Sequence, residues 1–145
     1  MNRFLKASLD EALTSKNQDE VPVGAVIVYK NKIIGKGHNE SNKISVSNHA
    51  EINAINEAIN YIKDWRLNDC EMYVTLEPCP MCAGAILKSR IKKVYIGTPS
   101  NIKSNRYIIE SIFKNKEFYN IVDYEYLNDE NCSKILTDFF KEKRS

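Results

Sequence analysis

Two spacings of hydrophobic residues alternate along the chain. Apolar residues recur every three or four positions over 3–16, which predicts an amphipathic helix. The segment VPVGAVIVY (21–29) is instead a β-branched run with few polar residues, which predicts a buried strand. Residues 30–32 then predict a tight turn into a second strand, IIGKGHN (33–39), so the first two strands should form a hairpin.

The same alternation continues to the end of the chain. A polar loop over 40–48 precedes a helix over 49–63, in which Ile52, Ile55, Ile59 and Ile62 share one face. The later elements are predicted as a strand at 71–76, a short helix at 80–87, a strand at 92–97, a helix at 105–115, a strand at 119–126 and a helix at 131–143 with Ile135, Leu136, Phe139 and Phe140 facing inward.

This order of elements predicts an α/β fold. Strands that alternate with helices form a sheet covered on both faces, and the hairpin makes that sheet mixed rather than purely parallel. The expected architecture is a three-layer α/β/α domain with a mixed five-stranded sheet, and the 145 residues suit a single domain over 1–145.

Composition adds only broad limits. The hydrophobic share of 43% and the charged share of 28% are typical of a globular protein, and the net charge of +2 allows a nucleic-acid partner without requiring one. No apolar run approaches the roughly 18 residues of a membrane span, and the first residues lack the apolar core of a signal peptide. We therefore expect a cytoplasmic protein with no membrane partner.

The cysteines carry the first chemical signal. Four cysteines in a reducing compartment favour metal binding or catalysis over disulfides. Cys79 and Cys82 lie three apart at the start of a predicted helix, where they share a face and where unpaired N–H groups stabilise thiolates. Taken alone, this pair is compatible with half of a zinc site or with a redox dithiol.

His49 extends the pair to a possible metal site. It also opens a helix, and two helix N-termini that meet at one end of a sheet could bring His49, Cys79 and Cys82 onto one ion. Two cysteines and one histidine form a known catalytic zinc set, which leaves a fourth position for water. Candidates for a fourth protein ligand are Cys70, which should lie roughly 20 Å from Cys79 along its strand, Cys132, which is expected to be a core thiol, and His38, which could lie near the metal.

Glu51 follows His49 by two residues. A glutamate in a first helical turn often serves only the helix dipole. However, zinc lowers the pKa of bound water toward about 7, and a carboxylate beside that water can carry its proton to a leaving group. H-x-E followed by P-C-x-x-C is the signature of the zinc deaminases, so Glu51 is the predicted catalytic residue.

At these residues the chain resembles the cytidine/deoxycytidylate deaminase superfamily, and within it the bacterial tRNA adenosine deaminases. The resemblance covers almost the whole chain and is carried by EVPVGAVIV (20–28), IIGKGHN (33–39), HAEINAI (49–55), WRL (65–67), YVTLEPCPMCAGAIL (73–87), SRIKKVYIG (89–97) and TDFFKEKR (137–144). It implies a hydrolase that deaminates adenosine to inosine at the wobble position (34) of tRNA, with tRNA-Arg expected. It also implies one zinc ion per subunit, held by His49, Cys79 and Cys82.

The resemblance further implies where the substrate lies. Asn39 should contact the nucleoside, the backbone of Ala50 should face the base, and Val21 and Pro22 should line the pocket. The implied partners are a tRNA anticodon stem-loop, with its target base turned out of the stack, and a second copy of the chain in a homodimer.

Other functions stay open at this point. The segment TPSNIKSNRY (98–107) lacks the glycine-rich, charged character usual in the family, which motivates a second hypothesis, a deaminase of a free base or nucleoside such as guanine or cytosine. A third hypothesis is a metal-stabilised binding module or a dithiol redox protein. The basic residues that could form a phosphate surface are Lys88, Arg90, Lys92, Lys93, Lys103, Arg106, Lys141, Lys143 and Arg144.

Overall fold

A computed structural model describes residues 2–40, 45–118 and 120–144. Its elements, in chain order, are α1 (Arg3–Asn17), β1 (Gly24–Tyr29), β2 (Lys32–His38), α2 (Ala50–Ile62), β3 (Cys70–Leu76), α3 (Pro80–Lys88), β4 (Lys93–Thr98), α4 (Asn105–Phe113), β5 (Asp123–Tyr126) and α5 (Glu130–Arg144). Among the described residues, no helix is both long and apolar enough to cross a membrane.

The sheet is mixed, as predicted. Its strand order is β2-β1-β3-β4-β5. β1 pairs with β2 and with β3 in antiparallel register, whereas β3, β4 and β5 run parallel to one another. The hairpin between β1 and β2 turns at Lys30 and Asn31, which both have positive φ, 48° and 64°. This is the backbone of a two-residue hairpin turn, so Lys32 already belongs to β2.

Side chains on the two faces of the sheet form separate cores. Ala25 and Ile27 point to one face, where they pack with residues of α2, α3 and α4. Val26 and Val28 point to the other face, against α1 and the buried Cys132 of α5. Because successive strand residues alternate in direction, the apolar run in β1 fills both cores. The predicted three-layer α/β/α architecture is therefore confirmed.

Glycines let two helices lie directly on the sheet. A Cβ on Gly37 would lie 2.2 Å from the carbonyl oxygen of Ala50 and 2.5 Å from the nitrogen of Ala54, and a Cβ on Gly35 would lie 2.4 Å from the oxygen of Ala54. The backbone of α2 thus occupies the space that side chains of β2 would need. A Cβ on Gly24 would meet the backbone of α1 in the same way.

Two strand predictions were too long. The strand predicted at 21–29 begins at Gly24. Pro22 has no N–H for a ladder, and the carbonyls of Val21 and Val23 instead accept hydrogen bonds from Asn39, at 3.2 and 3.1 Å. The strand predicted at 119–126 is shortened to Asp123–Tyr126, and Tyr119 lies outside the described residues.

Two helix faces also differ from prediction. In α2 the fully buried positions include Ala54 and Ala58 rather than Ile52, since only small residues allow the helix to approach β2 so closely. In α5 the side chain of Phe139 is buried as predicted, but Phe140 is 42% exposed because it follows Phe139 by about a quarter turn.

The sheet topology gathers several chain segments at one edge. Gly24 at the start of β1 pairs with His38 at the end of β2, and Ala25 pairs with Val74 near the end of β3. The segment before β1, the residues directly after His38 and the connection after β3 therefore lie side by side. The candidate site is built at this edge.

We predict that Gly37→Ala destabilises the protein by about 2 kcal/mol or more, because the new methyl group would overlap helix backbone that has no room to retreat. Urea denaturation followed by circular dichroism measures this loss. Gly84→Ala in α3 is the matched control, since among the described residues its Cβ would meet no atom within 4 Å. Equal denaturation midpoints for the two variants would contradict the close packing of α2 on β2.

Candidate active site

His49, Cys79 and Cys82 lie together at this edge of the sheet. The Nδ1 atom of His49 is 3.6 Å from the Sγ atom of Cys79 and 3.4 Å from that of Cys82. All three potential ligand atoms lie within 4.8 Å of one another, and they form a cluster that could hold a metal ion. The pairing of two cysteines with one histidine, expected from their spacing in the sequence, is thus present in the fold.

The distances fit a tetrahedral metal centre. Zinc–sulfur bonds of about 2.3 Å and zinc–nitrogen bonds of about 2.0–2.1 Å place neighbouring sulfur and nitrogen ligands about 3.6 Å apart at the tetrahedral angle. The observed separations of 3.6 and 3.4 Å lie close to that value. Three ligands of this kind leave one position of the tetrahedron for water or substrate.

Two helix N-termini present these ligands. His49 is the N-cap of α2 and Cys79 is the N-cap of α3, and both have extended backbone angles. Pro80 follows as the first residue of α3, a position that proline favours. The unpaired amides and the positive dipole end of each helix point toward the cluster, so the location suits anionic sulfur.

The two thiols are electrostatically unequal. The hydrogen bond with Cys82, together with the first-turn amides of Met81 and Cys82, lowers the pKa of Cys79 to about 5. The same hydrogen bond and burial raise the pKa of Cys82. These contacts favour the thiolate form of Cys79 in the metal-free site, and a bound cation would also deprotonate Cys82.

Glu51 is buried beside the cluster. Its side chain is 4% exposed. Burial raises the pKa of Glu51 to about 7, an effect that the charge of Cys79 reinforces. A carboxyl group that both takes and releases a proton near neutral pH is suited to acid–base chemistry.

A pocket of about 260 Å³ opens onto these groups. This volume is just below the range of about 300–1,000 Å³ typical of pockets for drug-sized ligands, so the pocket suits a single base. The residues that line it are Val21, Val23, Asn39, His49, Ala50, Glu51, Leu76, Glu77 and Cys79. Three predicted substrate contacts, Val21, Asn39 and Ala50, are in this lining. Pro22 is buried and is not among these lining residues, whereas its neighbour Val23 is.

The candidates for a fourth ligand lie elsewhere. Cys70 is buried at the start of β3, the far end from Cys79, and Cys132 is buried against Gly97. The ring of His38 lies between two carboxylates. Its Nδ1 atom is 3.1 Å from Glu11, and its Nε2 atom is 3.8 Å from Glu40. Among the described residues, the metal cluster comprises His49, Cys79 and Cys82.

Sequence reasoning missed Glu77. Its side chain is 5% exposed and borders the pocket two residues before Cys79. The glutamate stands inside the LEPCPMC stretch, directly before the proline and cysteine, and a charged residue at the end of a buried strand was the available signal.

A deaminase family matches nearly the entire chain. The model of the MafB19-like deaminase family covers residues 2–144. A tRNA-specific adenosine deaminase of Buchnera aphidicola subsp. Schizaphis graminum is 41% identical over 144 residues, which span 97% of this chain and 94% of that protein.

Solved structures agree with this assignment. One, from studies of A-to-I editing by tRNA:A34 deaminases at the wobble position of transfer RNA, has a TM-score of 0.82 and 32% identity, and the match covers 92% of this chain and 99% of that chain. The guanine deaminase from Bacillus subtilis has a TM-score of 0.66 and 32% identity, over 99% of this chain and 94% of that chain. The fold and site thus define a deaminase. The chain belongs to the MafB19-like deaminase family, and within it to the group of tRNA-specific adenosine deaminases.

The pKa of Glu51 predicts a pH-dependent stability in the metal-free protein. The folded state holds the Glu51 proton more tightly than the unfolded chain, since its pKa is about 7 instead of 4.5. The stabilisation from this proton is complete below the unfolded pKa of 4.5 and is lost as the pH rises through the folded pKa of about 7. Glu51→Gln mimics the protonated form, so it should gain stability over wild type across this range, by up to about 3 kcal/mol.

Urea denaturation of the two apo proteins at several pH values measures the difference. Glu57→Gln is the control, because Glu57 lies on the same helix but is exposed. A difference between Glu51→Gln and wild type that stays flat with pH would contradict the raised pKa.

Proposed function

We propose that the protein is a zinc-dependent hydrolase that deaminates adenosine to inosine at wobble position 34 of a tRNA. The observation that carries this proposal is the constellation at the pocket. The Nδ1 atom of His49 and the two cysteine sulfurs stand at tetrahedral spacing. A buried carboxyl, Glu51, lines the same pocket as His49 and Cys79. The names of the near-full-length relatives support the choice of tRNA adenosine as substrate.

His49, Cys79 and Cys82 would hold one zinc ion per subunit. Zinc, when bound, supplies the acidity that makes hydroxide available from water near neutral pH. Glu51 would accept a proton from the attacking water and deliver it to the amine that leaves the base. Water adds at the carbon that bears the exocyclic amine, ammonia leaves, and a carbonyl remains. The raised pKa of Glu51 suits both halves of this proton transfer.

Hydrogen bonds hold Asn39 in place at the pocket, which suits a role in binding the nucleoside. Its carbonyl accepts a hydrogen bond of 2.9 Å from Ser15, while its backbone and side-chain nitrogens donate to Val23 and Val21. Because the Asn39 side chain is already held in place at the pocket wall, it can contact a ribose or base with little loss of conformational entropy on binding. Ala50 presents first-turn backbone to the same pocket.

A second groove supports a polynucleotide substrate. It has a volume of about 500 Å³, lies between the 98–102 segment and α5, and shares Val21 and Leu76 with the base pocket. The exposed ring of Phe140 and the cation of Arg144 line it, which suits a stacked base and a phosphate, and Ile102 adds apolar surface. Of the other predicted basic residues, Lys93 and Lys143 form ion pairs with Glu125 and Asp19.

Three finer expectations accompany this proposal. The family resemblance predicts a homodimer and a tRNA-Arg anticodon stem-loop as partner, and a tRNA substrate fits the cytoplasmic location expected from the sequence. A free base such as guanine is the second candidate substrate, which the similarity to the Bacillus subtilis guanine deaminase favours.

Glu51→Gln should lower deamination by about 10²–10⁴-fold, because it removes the group that moves the proton. Zinc content should stay at the wild-type level, since Glu51 is not a proposed ligand. Inosine formation in an anticodon stem-loop and metal analysis of the purified protein measure the two quantities. Glu57→Gln should leave both unchanged. Normal turnover in the Glu51 variant would refute the mechanism.

A substrate panel tests the choice between RNA and a free base. We expect inosine in a tRNA-Arg anticodon stem-loop with adenosine at the wobble position, and no ammonia from free adenosine, guanine or cytosine. The matched control is the same stem-loop with its adenosine moved by one nucleotide. Ammonia from guanine, with an unmodified stem-loop, would transfer the protein to the second candidate function while leaving the metal site in place.

A further inference from the structure

The carboxylate of Glu77 is held by donors from two distant elements. Its Oε1 atom accepts a hydrogen bond from the hydroxyl of Tyr126, the last residue of β5, and its Oε2 atom accepts one from the amide of Asn105, the first residue of α4. Both bonds are 2.6 Å long, at the short end expected when the acceptor is charged. Burying a carboxylate costs free energy unless such donors satisfy it, so both oxygens are used.

One of these donors, Asn105, also helps to fix the peptide that leads into Cys79. The amide of Asn105 also donates to the carbonyl of Pro78, at 2.9 Å. The backbone N–H of Glu77 donates to the carbonyl of Thr98, also at 2.9 Å. Because the peptide between Pro78 and Cys79 is planar, fixing the Pro78 carbonyl also fixes the nitrogen of Cys79. Four hydrogen bonds thus hold the two residues before this candidate ligand.

Prolines make the segment around Cys79 stiff. Pro78 and Pro80 flank it, so the φ angles on either side are fixed, and a residue before proline is confined to extended backbone. Cys79 has that conformation, with φ −73° and ψ 169°. Because these backbone angles cannot adjust, a rotation at Glu77 would move the sulfur of Cys79.

We propose that Glu77, clamped by Asn105 and Tyr126, is a positioning residue that sets the Cys79 sulfur at the distance a metal ion requires. This inference rests on the metal site of the proposed function. The clamp also ties both ends of the 99–104 segment to Glu77, since Thr98 precedes that segment and Asn105 follows it. Glu77 therefore holds in place both the candidate ligand Cys79 and the segment that lines the second groove.

The test compares zinc affinity in Glu77→Gln, Tyr126→Phe and the control Tyr124→Phe. Glu77→Gln replaces one accepting oxygen with an NH₂ group that faces donors, whereas Tyr126→Phe removes one donor and keeps the ring. Tyr124 makes an equivalent hydroxyl bond to Glu110 that does not touch Glu77. Outer contacts of metal ligands typically change affinity by about 10–100-fold. We expect a loss in that range for Glu77→Gln, a smaller loss for Tyr126→Phe and wild-type affinity for Tyr124→Phe.

Competition with a chromophoric chelator measures the zinc dissociation constants, and circular dichroism checks that each variant is folded. Cobalt substitution adds a signature of geometry, since the sulfur-to-cobalt and d–d absorption bands should shift in Glu77→Gln and stay in place in Tyr124→Phe. A folded Glu77→Gln with wild-type zinc affinity and cobalt spectrum would overturn the inference. If Glu77→Gln does not fold, a wild-type zinc affinity and cobalt spectrum in Tyr126→Phe would overturn the inference. A wild-type protein that binds no zinc would instead refute the metal site itself.

Discussion

The contact between the backbone of α2 and the glycines of β2 is the constraint on which the site depends. The carbonyl of Ala50 lies where a side chain on Gly37 would stand, so the first turn of α2 rests on the end of β2. A hydrogen bond of 3.0 Å from Asn53 to the carbonyl of His38 holds the same turn in place. Since His49 caps this turn and Glu51 lies within it, their positions follow from packing that involves no catalytic atom.

Charge at the site is balanced by the backbone as much as by side chains. A buried carboxyl and a thiolate line one small pocket, with a second thiol buried beside them, an arrangement that would repel itself in an apolar core. Two helix N-termini offset this repulsion with amides and dipoles. A divalent cation would complete the balance, because two thiolates would neutralise it while Glu51 still takes up and releases a proton.

The sequence predicted the order of elements, the mixed sheet and the grouping of His49, Cys79 and Cys82, because hydrophobic period and the spacing of these residues can be read from short segments. What it missed depended on distant contacts. The burial of Ala54 in place of Ile52 reflects glycines on another element, and the exposure of Phe140 reflects where α5 meets the sheet. Glu77 was overlooked because its partners, Asn105 and Tyr126, lie 28 and 49 residues away along the chain.

Because Asn105 and Tyr126 lie so far after Glu77 in the sequence, they are also synthesised later. All three candidate metal ligands have been synthesised once residue 82 is added, and the sheet edge that gathers them uses only β1, β2 and β3. Asn105 and Tyr126 follow later, with α4 and β5. On the ribosome, where chains grow at about 5–20 residues per second, the ligands therefore exist for some seconds before the residues that clamp Glu77 have been added.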